Sequence, residues 1–382
     1  MNFEQELAFL SKLIGCHSVT NEDDGKAIDA LITALEPAGF TCHKLVYSDD
    51  KHTAYNLYAE YGNGERNFCF SGHTDIVDPG ELNLWHQDPF TTHTKNGIIY
   101  GRGMVDMKGA IACFIAATLN FIKTHRDANY KISFLISGDE ETTSKNGMIK
   151  MLEWLKQNNK NINACLVGEP TNPTIIGESV KVGRRGSVNF TLTVKGQQGH
   201  AAYPKLADNA ITKIVAILHH LKSLTLDHGT KLFEPSNLEI TNITVNNQTT
   251  NIIPGIATAN FNIRYNDAHT SESLIELIES TILSVTKDYE LESDISADVF
   301  FTDNQILRDV TGDAIKKITG LTTSFNTAGG TSDARFIHKF CPVVEFGLIN
   351  KTAHKVNECC HENDIKTLTA IYEQILVNYF GN

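Results

Sequence analysis

Short apolar runs, broken by glycine and closed by a carboxylate or an imidazole, recur through the first half of this chain. Asn67-Phe68-Cys69-Phe70-Ser71-Gly72 leads into His73, Lys131 to Asp139 leads into Glu140-Glu141, and Ala164-Cys165-Leu166-Val167-Gly168 leads into Glu169. Runs of this kind predict buried strands of a largely parallel sheet. Between about residues 50 and 180 they alternate with helical stretches, the pattern of a sheet covered by helices. Asp106 to Asn120 follows a glycine-rich turn, is almost wholly apolar, and predicts a buried helix.

After Lys181 the texture changes. Ser187 to Val194 alternates polar and apolar residues, as a strand open to water on one face does. Asp208 to Leu224 predicts an amphipathic helix, Ile252 to Tyr265 a further alternating strand, and Leu274 to Lys287 a second helix. From about residue 295 the buried pattern returns, with Pro342 to Gly347 as a strand before His354. The expected fold is α/β. A discontinuous catalytic domain, 1–180 with 295–382, carries a mostly parallel, helix-covered sheet, and a smaller α+β domain at 181–294 interrupts it. The length of 382 residues suits two domains, since one domain usually takes roughly 100–200 residues.

Composition narrows the function. Hydrophobic residues at 41% and charged ones at 20% are ordinary for a soluble enzyme. A formal charge of -12 argues against nucleic acid as a partner, which needs basic patches. An anionic small-molecule substrate stays open, because a few arginines can hold one locally. At the N-terminus Phe3, Leu7, Leu10 and Ile14 have helical spacing, but Glu4 and Glu6 stand where a signal peptide needs positive charge. No apolar stretch approaches the roughly 20 residues of a membrane span, so no membrane partner is expected. The eight cysteines are scattered without a CxxC pair, and Cys69, Cys113, Cys165 and Cys341 lie inside apolar runs. They read as small buried side chains in a reducing compartment, and the expected address is cytoplasmic. Cys359-Cys360 would be half a zinc site, with no second pair at matching spacing.

The polar residues that close the strands carry the candidate chemistry. Side chains just past the carboxyl ends of parallel strands converge on one sheet edge, where such sheets hold their ligands. His73 and Asp75 form an HxD pair, in which a ligating imidazole can give its other N–H to a carboxylate; alone, the pair is as well read as a surface contact. Asp106 lies in Gly101-Arg102-Gly103-Met104-Val105-Asp106-Met107-Lys108-Gly109. That segment imitates the start of a dinucleotide fingerprint, but a carboxylate at the third glycine position would repel pyrophosphate. Asp106 is by itself an ordinary helix cap, and with the other ligands a bridge between two metal ions.

Glu140-Glu141 can point one carboxylate at a metal and use the other as a general base toward water. In isolation Asp139-Glu140-Glu141 reads as a solvated charge run. Glu169-Pro170 after a buried strand faces the sheet edge, whereas His354 is ambiguous on its own. Taken together, two histidines, one shared aspartate and two glutamates give three protein ligands per metal. That set suits two zinc ions about 3.5–4 Å apart. HExxH, GxSxG and the P-loop pattern are missing.

These residues resemble the zinc-dependent aminoacylase and carboxypeptidase family. The resemblance runs nearly end to end and is strongest in Ser71-Gly72-His73-Thr74-Asp75, in Tyr100 to Gly109, and in Val167-Gly168-Glu169-Pro170-Thr171. It implies two Zn2+ per subunit, with Co2+ able to substitute. His73 and Glu169 would hold one ion, Glu141 and His354 the other, and Asp106 would bridge, with Glu140 as base and Asp75 beside His73.

Further blocks narrow the implied substrate: Gly183-Arg184-Arg185-Gly186-Ser187, Gly199-His200-Ala201-Ala202-Tyr203-Pro204, Gly329 to Phe336, and His354-Lys355-Val356-Asn357-Glu358. They imply cleavage of the amide of N-succinyl-LL-2,6-diaminopimelate to succinate and LL-2,6-diaminopimelate, in bacterial lysine and diaminopimelate biosynthesis. Another N-acyl amino acid hydrolase, such as an acetylornithine deacetylase or a dipeptidase, is the alternative. A non-catalytic metal-binding interaction protein is the remote one, opposed by the presence of Glu140 and all five ligands.

The resemblance also implies that Arg184, Ser187, Tyr203, Asn251, Arg264, Gly330, Thr331 and Asn350 shape the substrate pocket. His200 would reach the site of the other subunit of a homodimer and donate to the oxyanion of the tetrahedral intermediate, a contact worth roughly 3 kcal/mol. Guanidinium forks match a succinyl carboxylate, although isolated arginines read equally well as surface ion pairs. Two positions depart from the pattern. Thr250 precedes Asn251 where a second asparagine is usual, and Ala328 stands where a glycine triplet usually begins. Both bear on acyl and amine preference.

Overall fold

The runs that end in His73, Glu140 and Glu169 lie side by side in the computed structural model, which describes residues 1–19, 22–126, 129–142, 144–330 and 332–381. Strand Asn67–His73 pairs in parallel with Lys131–Ser137 on one side and with Ala164–Val167 on the other. Val343–Glu345 continues the parallel block beyond Ala164–Val167. The full eight-stranded order is Thr41–Ser48, Thr53–Tyr61, Lys131–Ser137, Asn67–His73, Ala164–Val167, Val343–Glu345, Ser179–Lys181, Ser324–Asn326. The first two strands form an antiparallel hairpin, and Ser179–Lys181 runs antiparallel to Val343–Glu345. The four central strands are parallel, so their carboxyl ends deliver residues to one edge.

This sheet belongs to a unit made of Met1–Val182, Thr302–Asn326 and Ser332–Asn382. Helix Gly109–Thr124 is buried from Gly109 through Thr118 and packs against the C-terminal helix Glu362–Phe380. Phe114 stacks on Phe70 at 4.4 Å between ring centroids and meets Phe134 and Tyr372 edge-on at 5.5 and 5.4 Å. Burying each such ring is worth about 1.5–3 kcal/mol, which fixes the helix against the strands that carry the polar residues. One stretch does reach the length of a membrane span, against the expectation from the sequence: Met104–Thr124 is apolar and long enough by composition, but 83% of its most apolar part is buried in this core. Helix Phe3–Ile14 opens with an Asn2–Gln5 capping box.

The predicted helix at Asp106 begins three residues later. Residues 104–108 form an irregular turn in which Asp106 has φ -124° and ψ 96° and the Asp106–Met107 peptide is cis.

The second unit comprises Gly183–Phe301 and Thr327–Thr331. Its antiparallel sheet has the order Asn237–Thr244, Ile256–Tyr265, Gly186–Lys195, Tyr289–Ala297. Val188, Phe190, Leu192 and Val194 alternate inward and meet helices Ala210–Ser223 and Ser271–Leu283 in one core. The unit extends past residue 294 because Tyr289–Ala297 is its fourth strand and Phe300–Phe301 pairs with Gly183–Arg184.

Candidate metal centre

Strand Asn67–His73 ends with a buried imidazole whose two nitrogens face different groups. His73 Nδ1 lies 2.9 Å from the Asp75 carbonyl oxygen, with the Asp75 carboxylate at 3.6 Å. The backbone carbonyl of Asp75 is the nearer partner, and its carboxylate, which the HxD spacing suggested, stands behind it and also raises the imidazole. His73 Nε2 lies 3.1 Å from Asp106 Oδ1 and 3.7 Å from Glu169 Oε1. Asp106 turns its other oxygen to His354, at 3.2 Å from Nε2, and that same nitrogen lies 2.9 Å from Glu141 Oε1. One aspartate therefore joins two sets, each containing one imidazole and one glutamate. Ligand atoms of His73, Asp106 and Glu141 all lie within 4.8 Å of one another, as do those of His73, Glu140 and Glu169.

The loop after strand Lys131–Ser137 is held by Asp139, which is fully buried rather than part of a solvated run. Asp139 accepts the Asn146 N–H at 2.8 Å and faces His52 Nε2 at 2.9 Å, and Thr142 Oγ1 donates to it. Asp75 Oδ2 accepts the Glu141 N–H at 2.9 Å, tying this loop to the end of the neighbouring strand. His354 has φ 59°, a left-handed conformation that a turn must hold in place.

The electrostatics ask for cations. Burial raises Glu140 well above the usual carboxylate range, and the negative charges of Asp333, Glu141 and Asp75 add to it. Burial likewise raises Glu169, helped by Asp106 and Glu140, and pushes Asp333 up to about 7. Burial alone would lower His73, yet its hydrogen bond to Asp106 and the charges of Asp75 and Glu140 hold it well above 6.5. His354 is raised to about 10 by its hydrogen bonds to Asp106 and Glu141. Six carboxyl groups (Asp75, Asp106, Glu140, Glu141, Glu169 and Asp333) thus surround two imidazoles. Asp75 Oδ1 and both Asp333 oxygens are buried and accept no hydrogen bond among the described residues. Protonating both histidines leaves this cluster short of positive charge. A nitrogen-and-oxygen donor set with one shared carboxylate fits a pair of divalent cations.

The chain from residue 69 to 378 matches the model of peptidase family M20/M25/M40. The chain belongs to that family. The M20 chain is 48% identical over 371 residues to the succinyl-diaminopimelate desuccinylase of Ehrlichia canis, covering 97% of each protein. Among solved structures it resembles the aminopeptidase PepT of Bacillus cereus, with a TM-score of 0.78 at 19% identity, covering 98% of this chain and 99% of that one. It also resembles an M20 metallo-carboxypeptidase of Sulfolobus solfataricus, with a TM-score of 0.77 at 17% identity, covering 100% of both.

The substrate residues expected for this M20 chain fall into small groups. Arg184, in a two-residue strand paired with Phe300–Phe301, is buried and donates from Nη1 to the Ala328 carbonyl at 3.2 Å. Gly329 packs against the same guanidinium, a Cβ there lying 2.5 Å from Arg184 Nη1, and Gly330 follows it. Ser187 and Arg264 are cross-strand neighbours in the sheet of the second unit. His200, exposed, accepts the Ala202 N–H at Nδ1 and meets the Tyr203 ring edge-on at 5.5 Å. Asn251 accepts the Ala201 N–H through its carbonyl at 2.9 Å, beside this group. Asn350 opens a short turn in the first unit and donates its N–H to the Asn172 carbonyl. Thr331 lies outside the described residues. Sequence reasoning gave no role to Asp139, Arg102 or Glu358. The only signal for the last two was their presence inside the motif blocks.

Proposed function

We propose that this chain hydrolyses the amide of N-succinyl-LL-2,6-diaminopimelate to succinate and LL-2,6-diaminopimelate, within lysine and diaminopimelate biosynthesis. The observation that carries this reading is Asp106, whose two oxygens face His73 and His354 separately. The support for the substrate is the full-length likeness to a protein named succinyl-diaminopimelate desuccinylase. His73, Asp106 and Glu169 would hold one Zn2+, and Asp106, Glu141 and His354 the other, with Co2+ as a substitute. Bound there, the cations would polarise the scissile carbonyl and make water more acidic.

The chain's own groups do the rest. Glu140 takes the proton from the attacking water and delivers it to the departing amine. Asp75 and its carbonyl hold His73 in one orientation. Arg184 and Arg264 are assigned to the succinyl carboxylate, since guanidinium forks match that shape. Ser187, Tyr203, Asn251, Gly330, Thr331 and Asn350 are assigned to the remaining substrate contacts. We assign the second unit, expected at 181–294 and extending to Phe301, to dimerisation, with His200 serving the partner subunit's site as oxyanion donor, and the first unit, expected at 1–180 with 295–382, to catalysis. The expected compartment is the cytoplasm, with no nucleic acid or membrane partner.

The test is hydrolysis of N-succinyl-LL-diaminopimelate beside N-acetylornithine, after chelation and again after zinc is restored. Zinc-dependent turnover of the succinyl substrate alone supports the assignment. Turnover of the acetyl substrate instead moves it, with Thr250 and Ala328 the first positions to exchange.

A further inference from the structure

Arg102 and Glu358 form an ion pair that is 2% and 0% exposed. Four donors converge on the Glu358 carboxylate. Oε2 accepts Arg102 Nη1 at 2.9 Å and the Gly103 N–H at 3.0 Å. Oε1 accepts the Val105 N–H at 2.7 Å and the Asp106 N–H at 3.1 Å. The guanidinium continues outward: Nη1 reaches the Lys355 carbonyl at 3.3 Å, Nη2 the Asp78 carbonyl at 3.4 Å, and the group lies over the Trp85 ring at 5.1 Å. Lys355 directly follows His354, and Glu358 stands four residues past it. The pair therefore grips the turn that ends in Asp106 and the turn that starts at His354, the two segments whose side chains meet at 3.2 Å.

A buried ion pair adds little stability over apolar side chains of the same volume. The placement of this one accounts for it better than stability does, because all four donors are the guanidinium or backbone N–H groups of the Arg102–Asp106 turn itself. We infer that the Arg102–Glu358 pair is the positioning device that keeps Asp106 and His354 within reach of one cation, so that the cation shared with Glu141 binds tightly only while the pair is intact. This rests on the two-cation reading above.

Glutamine at 358 has the same shape but cannot satisfy the site. Either way round, its NH2 faces two N–H donors, and Arg102 loses its counter-charge. The experiment titrates Co2+ into metal-free parent, Glu358→Gln, Glu358→Asp and Arg102→Lys proteins by calorimetry, with the visible spectrum of bound Co2+ as second readout. Loss of an outer partner of a metal ligand typically weakens metal binding about 10–100-fold. That is the expected change for the weaker of two binding steps in Glu358→Gln, with Glu358→Asp recovering part of it. Arg102→Lys keeps the charge but cannot span to the Lys355 carbonyl, and is expected to lose about tenfold. Both steps within twofold of the parent in Glu358→Gln would overturn the inference, as would a lower melting temperature of the metal-free variant with unchanged Co2+ affinity. If Glu358→Gln does not fold, Arg102→Lys decides by the same titration and the same limits. A parent that binds no Co2+ overturns the two-cation reading itself, a distinct result.

Discussion

Replacing Gly347 by alanine displaces Glu169 through its backbone, leaving its side chain chemically unchanged. Gly347 follows strand Val343–Glu345, and a Cβ built there would sit 2.2 Å from the Gly168 carbonyl oxygen and 2.5 Å from that of Glu169. Comfortable non-bonded separation begins at about 3.5 Å, so the two backbones must part by about 1 Å. Neither can yield easily. Gly168 donates its N–H to the Ser71 carbonyl at 3.0 Å, the Phe346 N–H binds the Val167 carbonyl at 2.9 Å, and the Gly347 carbonyl accepts Asn172 Nδ2 at 2.7 Å. Overpacking of this kind costs about 1–3 kcal/mol, and a misplacement near 1 Å at a reacting centre costs about 100-fold in rate. Urea unfolding of Gly347→Ala should therefore show a loss of about 2 kcal/mol, and steady-state kinetics a fall in kcat/KM near 100-fold. Co2+ titration should show one binding step weakened, the one that depends on Glu169. Parental stability together with kcat/KM within threefold would refute the reasoning, because the backbone would then have absorbed the methyl group without moving the glutamate.

Other perturbations test separate parts of the argument. Glu140→Gln removes the proton acceptor and should lower kcat about 10²–10⁴-fold while metal content by atomic absorption stays at the parental level; retained turnover would take Glu140 out of the proton path. Glu6 is buried, accepts Thr369 Oγ1 at 2.5 Å, and is raised by that burial from 4.5 to about 7. The folded chain holds the Glu6 proton more tightly than the unfolded one, so this site's contribution is full below pH 4.5 and declines as pH rises to about 7. At about 1.36 kcal/mol per pH unit the loss is capped near 3 kcal/mol. Glu6→Gln should be more stable than the parent at pH 8 and not at pH 4.5, and equal gains at both, by chemical denaturation, would contradict that sign. Phe114→Ala opens the ring cluster of Phe70, Phe134 and Tyr372 and should cost about 3–5 kcal/mol; a melting temperature unchanged from the parent would show that the cluster is not the core.

The parallel block was readable in the sequence because buried strands leave unbroken apolar runs, and the glycine and polar residue at each end mark where the chain leaves the sheet. The hairpin Thr41–Ser48 with Thr53–Tyr61 was harder to see, since its first strand buries no residue fully. Edge strand Asn237–Thr244 buries only Leu238 and shows no alternation to read. The helix start was misplaced at Asp106 because apolar periodicity continues through Val105 and Met107. Their N–H neighbours, on Gly103, Val105 and Asp106, are drawn to Glu358 instead of the helix ladder. Glu358 had no recognisable spacing of its own, since a carboxylate that accepts from three backbone N–H groups and one guanidinium follows no spacing rule. Asp139 misled for the opposite reason: three adjacent acids look solvated, and only the folded loop shows the first of them sealed among Asn146, Thr142 and His52.

His354 meets Glu141 across 213 residues of chain, and Asp106 stands between them as the common neighbour. Contacts so distant in sequence form late in folding, after the intervening loop entropy has been overcome. While the ribosome is still making the segment before residue 354, the emerging polypeptide offers His73, Asp106, Glu141 and Glu169 but lacks the histidine that completes the second set. On the two-cation reading, tight loading of the second ion would then wait until translation has passed that residue, so a fully loaded chain would be one made at least as far as His354.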